Sequence, residues 1–143
     1  MTVWLLDTGP LVAFFDKSDR YHRWAVEQWA QAPVPLLTCE AVVAEAAYLL
    51  REHAGLPGEK VMALFERKVI TVPFHLEEHA APVAHLLAKY RDQNMQLADA
   101  CLVHMSELKR DSRVFTLDKA DFQIYRRFER QVIALIAPER PSS

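Results

Sequence analysis

The chain has 143 residues, of which 51% are hydrophobic, and a net charge of −2. This size and composition predict one domain with one apolar core. No apolar run is long enough to span a membrane and no basic signal segment is present, so a soluble, cytoplasmic protein without a membrane partner is expected. The near-balanced charge gives no support for nucleic-acid binding from bulk electrostatics. Cys39 and Cys101 lack zinc-type spacing and are expected to be reduced and buried.

The first predicted element is a strand over Val3–Leu6, which runs directly into Asp7. A short continuous apolar run is typical of a strand buried on both faces in a parallel sheet. Sites in such sheets form outside the carboxyl ends of the strands, which is where Asp7 stands. The alternative is that Asp7 only caps the helix that Gly9-Pro10 opens and that continues to about Phe15.

The next segment is predicted to be a helix over about 19–31, with Asp19 as its N-terminal cap. Asp19 and His22 could assist a site near Asp7, although a cap and a packed surface histidine explain them as well. A short strand is predicted over 35–38.

Glu45 is isolated among apolar residues in a helix predicted from Glu40 to His53, which Gly55 terminates. Charged residues are rarely buried without a partner, which favours a functional role for this acid. However, Thr38, Glu45 and Glu52 are spaced by seven residues, which equally fits a solvent-exposed stripe.

The second half of the chain again alternates helices and strands. Its predicted elements are helix 58–68, strand 69–72, helix 76–91, helix 95–109, strand 112–117, a basic helix ending at Arg130, and strand 132–136. Asp99 lies near the start of a helix, where the helix dipole alone would favour an acid. Asp118 directly follows a strand, as Asp7 does. We expect one domain over residues 1–137 and a disordered tail over 138–143.

Alternating strands and helices predict an α/β protein with three layers and a mainly parallel central sheet of about five strands. Asp7 and Asp118 would then lie at the carboxyl edge of the sheet. Glu45 and Asp99 would reach the same edge if each of their helices starts where a strand stops. Four neighbouring carboxylates repel one another, and a divalent cation would relieve that repulsion. Oxygen ligands suit Mg²⁺ or Mn²⁺, which can assist hydrolysis of a phosphodiester.

Four motifs, in this order, resemble those of the PIN domain family. They are Leu-Leu-Asp-Thr at the first strand, Val-Val-Ala-Glu-Ala around Glu45, Leu-Ala-Asp-Ala around Asp99, and Thr-Leu-Asp-Lys-Ala-Asp-Phe after the later strand. Their spacing is most similar to that of VapC-type toxins of bacterial toxin–antitoxin pairs, and the resemblance covers nearly the whole chain. It implies a three-layer α/β/α PIN-like nuclease domain.

The resemblance also implies an activity, namely metal-dependent endoribonuclease hydrolysis of RNA. The metal-binding and catalytic acids would be Asp7, Glu45, Asp99 and Asp118, holding one or two Mg²⁺ or Mn²⁺ ions. Asp121, Thr8 and Thr116 would support them. The implied partners are an RNA substrate, a small antitoxin protein and a second copy of the chain.

Other readings of these motifs are weaker. The triplet Asp7-Thr8-Gly9 also occurs in aspartic proteases, but those proteins are almost entirely β. A haloacid-dehalogenase-type phosphatase needs a second aspartate where this chain has Gly9, and a receiver domain needs an early acid pair that is missing. The main alternative is a non-catalytic PIN-like module that binds RNA or protein, which would tolerate loss of Asp99.

Overall fold

A parallel sheet of five strands runs through the centre of the computed structural model, which describes residues 1–139. The strands of the chain are β1 (Val3–Leu6), β2 (Leu36–Leu37), β3 (Ile70–Thr71), β4 (Ser112–Phe115), β5 (Arg126–Arg127), β6 (Gln131–Val132) and β7 (Leu135–Ile136). The central sheet has the order β3-β2-β1-β4-β7, and every pairing in it is parallel. Strands β5 and β6 form a separate antiparallel hairpin.

Within residues 1–139, seven α-helices connect and cover these strands. They are α1 (Thr8–Phe15), α2 (His22–Gln31), α3 (Glu40–Ala54), α4 (Glu59–Glu66), α5 (Ala80–Lys89), α6 (Leu97–Leu108) and α7 (Lys119–Ile124). Strands β1, β2 and β3 follow one another toward one edge of the sheet. Because the connections between parallel strands are right-handed, the helices between them, α1 to α4, lie on one face of the sheet. The connection from β3 to β4 crosses the sheet in the opposite direction, so its helices, α5 and α6, lie on the opposite face. The three-layer α/β/α prediction is therefore confirmed.

An aromatic cluster joins the central strands to helix α2. The Phe115 ring of β4 lies 5.3 Å from Trp4, 5.6 Å from Trp24 and 6.0 Å from Trp29, measured between ring centroids. The indole N–H of Trp29 also donates to the Pro10 carbonyl at 3.1 Å. These contacts hold the first turn of α1 against the sheet, directly after Asp7.

The prediction of a basic helix ending at Arg130 is wrong. Helix α7 ends at Ile124, because Tyr125 adopts an extended backbone conformation. Phe128 and Glu129 then take positive φ angles of 49° and 68° in the turn of the β5–β6 hairpin. The predicted strand over 132–136 is accordingly split between this hairpin and β7.

The second predicted helix starts later than expected. Asp19 does not cap it; the Asp19 carboxylate accepts a hydrogen bond from the backbone N–H of Tyr21 at 2.8 Å, within a turn before α2. Among residues 1–139, no helix combines the length and the apolar character that a membrane crossing needs. Residues 140–143, most of the tail predicted to be disordered, lie outside the described residues.

Gly9 is the glycine that the packing of the site requires. A Cβ atom at this position would lie 2.8 Å from Leu117 Cγ and 2.9 Å from Leu117 Cδ1. Leu117 would have to move, and with it the backbone that leads to Asp118. Overpacking of this kind costs about 1–3 kcal/mol, whereas alanine gains at most about 1 kcal/mol over glycine within a helix.

We therefore expect Gly9→Ala to lower the free energy of unfolding by about 1–2 kcal/mol, measured by urea denaturation. The matched control is Gly58→Ala, since Gly58 has a helical backbone and nothing within 4 Å of the added Cβ. That variant should be unchanged or slightly stabilised. Equal behaviour of the two variants would contradict the assigned packing.

Candidate active site

The register between β1 and β4 places Asp7 at the carboxyl edge of the sheet. Leu6 pairs with Phe115 at the end of the two strands, and the Asp7 N–H donates to the Phe115 carbonyl at 2.9 Å. Asp7 is therefore opposite Thr116. On the other side, the Thr38 hydroxyl donates to the Leu6 carbonyl at 2.7 Å. A backbone bond to β4 on one side and a bond from the Thr38 side chain, just after β2, on the other thus fix the position of this aspartate.

Asp7 is almost fully buried, with 3% of its surface exposed. Its Oδ1 accepts from the Thr8 N–H at 2.8 Å and its Oδ2 accepts from the Thr116 hydroxyl at 2.6 Å. Thr116 Oγ1 in turn accepts from the Asp118 N–H at 2.9 Å. Asp7 therefore does cap α1, as the alternative interpretation held, but it also belongs to a hydrogen-bond network that reaches Asp118.

Glu45 reaches this network through Thr8. The Thr8 hydroxyl donates to Glu45 Oε2 at 3.2 Å. Glu45 itself is exposed on α3, as expected if it belongs to a solvent-exposed stripe with Glu52. Its hydrogen bond to the residue after Asp7 nonetheless brings its carboxylate to the same edge of the sheet.

Asp99 lies in the first turn of α6 and has two hydrogen-bond donors. Its Oδ2 accepts from the Gln96 N–H at 3.2 Å, as part of a capping box, and from the Tyr125 hydroxyl at 3.3 Å. Tyr125 is buried beside α6 at the end of α7. The sequence analysis missed this tyrosine, because it lay inside a helix that was predicted to continue and no local pattern sets it apart.

Helix α6 reaches the carboxyl edge by a different route from the one predicted. It does not start where a strand stops, since α5 and a short 3₁₀ turn over Arg91–Gln93 precede it. Instead, α6 leads into β4 and runs antiparallel to it. Its first turn therefore lies at the carboxyl end of β4, and the expected position of Asp99 is right although the reason given for it was wrong.

The negative charges of these acids influence one another. The pKa of Asp7 is raised to about 7, mainly by burial. The hydrogen bonds from Thr116 and Thr8 lower it, and the charges of Asp118 and Asp99 raise it further. Burial also raises the pKa of Asp99, with further contributions from Asp118 and Asp121. Partial shielding of the Asp118 carboxylate raises its pKa, and so do Asp121 and Glu45. Asp118 thus lies within electrostatic reach of the other three predicted acids and of Asp121.

The donor set is one that a hard divalent cation prefers, since it consists of carboxylate oxygens alone. Among residues 1–139, no lysine or arginine forms a salt bridge with these acids. In the same part of the chain, no three His, Cys, Asp or Glu side chains converge closely enough to hold a metal as they stand. Binding would therefore require side-chain rotation, which exposed Glu45 and Asp118 can undergo without disturbing the core.

Comparison with known proteins bears on the family and the fold. The sequence profile of the PIN domain family matches residues 4–127. The chain belongs to the PIN domain family. It is 28% identical to Ribonuclease VapC26 of Mycobacterium tuberculosis over 126 residues, covering 85% of this chain and 91% of that protein.

A solved PIN-fold structure superposes on the chain with a TM-score of 0.68 and 21% identity. It is that of VapC20 from Mycobacterium tuberculosis, described as a toxin that cleaves the sarcin–ricin loop, and the match covers 82% of this chain and 92% of that one. At this identity the likeness supports the fold. The predicted membership of the PIN family, with a resemblance to VapC proteins, is confirmed.

Two other predictions concern residues near this edge. His22 does not reach the acids within the described residues, because its Nδ1 contacts the Ala13 carbonyl at 2.7 Å. Cys39 and Cys101 are free and buried, as expected. A hydrogen bond with Cys101 and burial raise the pKa of the Cys39 thiol, which keeps it protonated.

The raised pKa of Asp7 makes the stability of the metal-free PIN domain depend on pH. Between pH 3.8 and about 7 the folded chain binds the Asp7 proton while the unfolded chain has released it. Stability contributed by the neutral carboxyl is therefore present at low pH and lost as the pH rises through 7. The shift from 3.8 to about 7 corresponds to at most about 4 kcal/mol.

We expect Asp7→Asn, which stays neutral, to be more stable than the wild type at pH 8 in EDTA, and to show little difference at pH 4. Denaturant unfolding of both proteins at the two pH values measures this. A stability difference that is independent of pH would show that Asp7 is ionised without cost in the folded chain.

Proposed function

We propose that this PIN domain is a metal-dependent endoribonuclease that acts as the toxin of a toxin–antitoxin pair. The observation that carries the proposal is the buried Asp7, held by Thr8 and Thr116 and facing the charges of Asp99 and Asp118. Burying an unpaired acid is costly for folding. A catalytic role would explain why such an acid is retained at the carboxyl edge of a parallel sheet, where active sites form.

The relatives support the chemistry. The curated relative VapC26 is named a ribonuclease, and the solved structure of VapC20 is described as that of an RNA-loop-cleaving toxin. We infer the same class of reaction, phosphodiester hydrolysis in RNA, for this chain. An RNA substrate and free, buried cysteines both suit a cytoplasmic location.

In this proposal Asp7, Glu45, Asp99 and Asp118 hold one or two Mg²⁺ or Mn²⁺ ions. The bound cation would supply positive charge at the scissile phosphate and activate water. Asp7 is the rigid ligand, because Thr8 and Thr116 orient both of its oxygens. Glu45 and Asp118 are the exposed acids, and they therefore face the side from which RNA approaches.

The supporting residues have separate tasks. Thr116 links Asp7 to the backbone of Asp118, so the first acid and the last are positioned together. The Tyr125 hydroxyl donates to Asp99 and stabilises its ionised form. Asp121 lies close enough to raise the pKa of Asp118, and it could replace that residue as a ligand or accept a proton from water.

The alternative function is a non-catalytic PIN-like module that binds RNA or protein. The network around Asp7 favours the nuclease, because carboxyl groups with strongly raised pKa values are most often found at catalytic sites. The two functions differ in what they require. Only the nuclease depends on the carboxylate of Asp99.

We expect cleavage of a mixed, structured RNA pool by the purified protein in Mg²⁺ or Mn²⁺ and none in EDTA. Asp7→Asn and Asp99→Asn should each lower the rate by at least about 100-fold, because the carboxylates place the cation at the phosphate. Binding of Mn²⁺, followed by calorimetry, should weaken in the same variants.

Glu45→Gln and Glu52→Gln form a matched pair for this assay. Both acids are exposed on α3 and are spaced by seven residues, but only Glu45 contacts Thr8. Glu45→Gln should reduce cleavage and Glu52→Gln should not. The binding-module function would be favoured by two results together. The wild type would neither cleave RNA nor bind Mn²⁺, and Asp99→Asn would still bind RNA.

The proposed partners are a small antitoxin protein and a second copy of the chain, both implied by the VapC resemblance. We expect expression of the chain in bacteria to arrest growth, and Asp7→Asn to abolish the arrest. Co-expression of the protein encoded beside this gene should restore growth. Arrest by the Asp7→Asn variant at an equal protein level would contradict a toxin that acts through nuclease activity.

A further inference from the structure

A cleft of about 520 Å³ opens beside Asp118. This volume lies within the range of about 300–1,000 Å³ that is usual for small-ligand sites. Its walls come from the turn before α2, from α7 and from the end of the described chain. The residues that line it include Tyr21, Asp118, Lys119, Asp121, Gln123 and Glu139. Only Asp118 and Asp121 among them belong to the acidic network.

Tyr21 is the one aromatic residue among the described residues that line this cleft, and its backbone is held rigidly. Its N–H donates to Asp19 Oδ1 at 2.8 Å, and its carbonyl accepts from the Ala25 N–H at 2.9 Å. The ring is partly buried against the core. A fixed aromatic ring at the wall of a cleft can stack on a planar ligand at a low entropic cost.

Cationic and amide groups lie beside the ring. The Arg20 guanidinium lies over the Tyr21 ring, 5.5 Å from its centroid, so a base that stacks on the same face would take its place. Lys119 contributes an ammonium group to the wall, and its nearest described acid is Glu139 at 3.9 Å. Gln123, exposed on α7, adds an amide that can both donate and accept hydrogen bonds. Together these side chains offer a stacking surface, positive charge and a polar group that can contact a base edge.

The charges indicate which part of a ligand this cleft accepts. Asp118, Asp121 and Glu139 contribute three carboxylates to its walls, so a phosphate group would be repelled from its interior. A nucleobase is neutral and planar, and single-stranded RNA is recognised by stacking of unpaired bases on aromatic rings. The cleft therefore suits the base of a nucleotide whose phosphate lies outside it, next to Asp118.

We propose that this cleft binds an unpaired nucleobase adjacent to the scissile phosphate, with Tyr21 as its stacking platform and Gln123 at its base edge. The inference rests on the proposed RNA function and adds a positioning site to it. Tyr21 acts by placing the RNA relative to the acids. Asp118 lines the cleft and also belongs to the acidic network, so a base held in the cleft would bring its own phosphate to the acids.

The experiment measures nucleotide binding without catalysis. Isotope-labelled protein in EDTA is titrated with the dinucleoside monophosphates ApA, CpC, GpG and UpU, and inorganic phosphate serves as the control ligand. We expect backbone NMR signals of Lys119, Ala120 and Gln123 to shift with the dinucleosides and not with phosphate. Tyr21→Leu keeps an apolar side chain against the core and should weaken binding by about 5- to 150-fold, the usual effect of losing one base–aromatic stack.

Three further variants separate stacking from folding. Tyr21→Phe retains the ring and should bind as the wild type does. Tyr48→Leu removes an exposed tyrosine that lies near Arg51 on α3 and outside the cleft, and it should also leave binding unchanged. Gln123→Ala alters an exposed residue that the core does not need, and it should weaken binding and change the order of preference among the four dinucleosides.

The outcomes distinguish this inference from the proposed function. Absence of shifts at the cleft, or wild-type affinity in folded Tyr21→Leu and in Gln123→Ala, would overturn the inference even if RNA is cleaved. The protein could also cleave no RNA and yet show NMR shifts that Tyr21→Leu or Gln123→Ala weakens. That result would support base binding in the cleft and contradict the proposed nuclease function. In an active enzyme, Tyr21→Leu should raise KM more than it lowers kcat, because the ring binds RNA away from the reacting phosphate.

Discussion

The parallel pairing of β1 with β4 is the constraint on which the rest of the site depends. It places Asp7 opposite Thr116, and the 2.6 Å hydrogen bond between them holds a carboxylate in a position that is 3% exposed to water. Burial and the neighbouring acids raise the pKa of Asp7 to about 7, so ionising it costs stability in the absence of a counter-charge. The protein therefore carries a local instability that a bound cation would relieve, and this is a common trade between stability and activity.

The packing around this edge keeps the costly carboxylate in place. Trp29 packs on Phe115 and donates to the Pro10 carbonyl, which fixes the first turn of α1 just after Asp7. The absence of a side chain at Gly9 lets Leu117 approach α1, and Leu117 leads directly to Asp118. The rigid members of the site thus sit on strands and helix starts with packed neighbours, while Glu45 and Asp118 remain exposed. In the proposed function, this arrangement would give the cation one rigid ligand, Asp7, and two adjustable ones.

The capping and functional interpretations of the acids turn out to be compatible. Asp7 accepts the Thr8 N–H as a helix cap, and Asp99 accepts the Gln96 N–H in a capping box, yet both contribute to the charge cluster. Acids are favoured at helix N-termini, and in a parallel α/β sheet helix N-termini collect at the carboxyl edge. The same local preference that stabilises each helix therefore helps to gather acids at one place. For this reason, one motif alone could not distinguish a capping acid from a site acid. The hypothesis of a shared site depended on all four motifs together.

The sequence by itself determined the α/β class, the mainly parallel sheet of about five strands, and the placement of Asp7 and Asp118 at its carboxyl edge, because apolar runs and the acids that directly follow them are local signals. Long-range contacts decided what local patterns could not show. Tyr125 leaves the helical conformation at the end of α7 with its ring buried and its hydroxyl on Asp99, a residue 26 positions away. The first turn of α6 reaches the site because α6 runs antiparallel to β4. Likewise, the cleft between Tyr21 and Gln123 joins segments about a hundred residues apart, so only the tertiary structure could bring that ring to the acids.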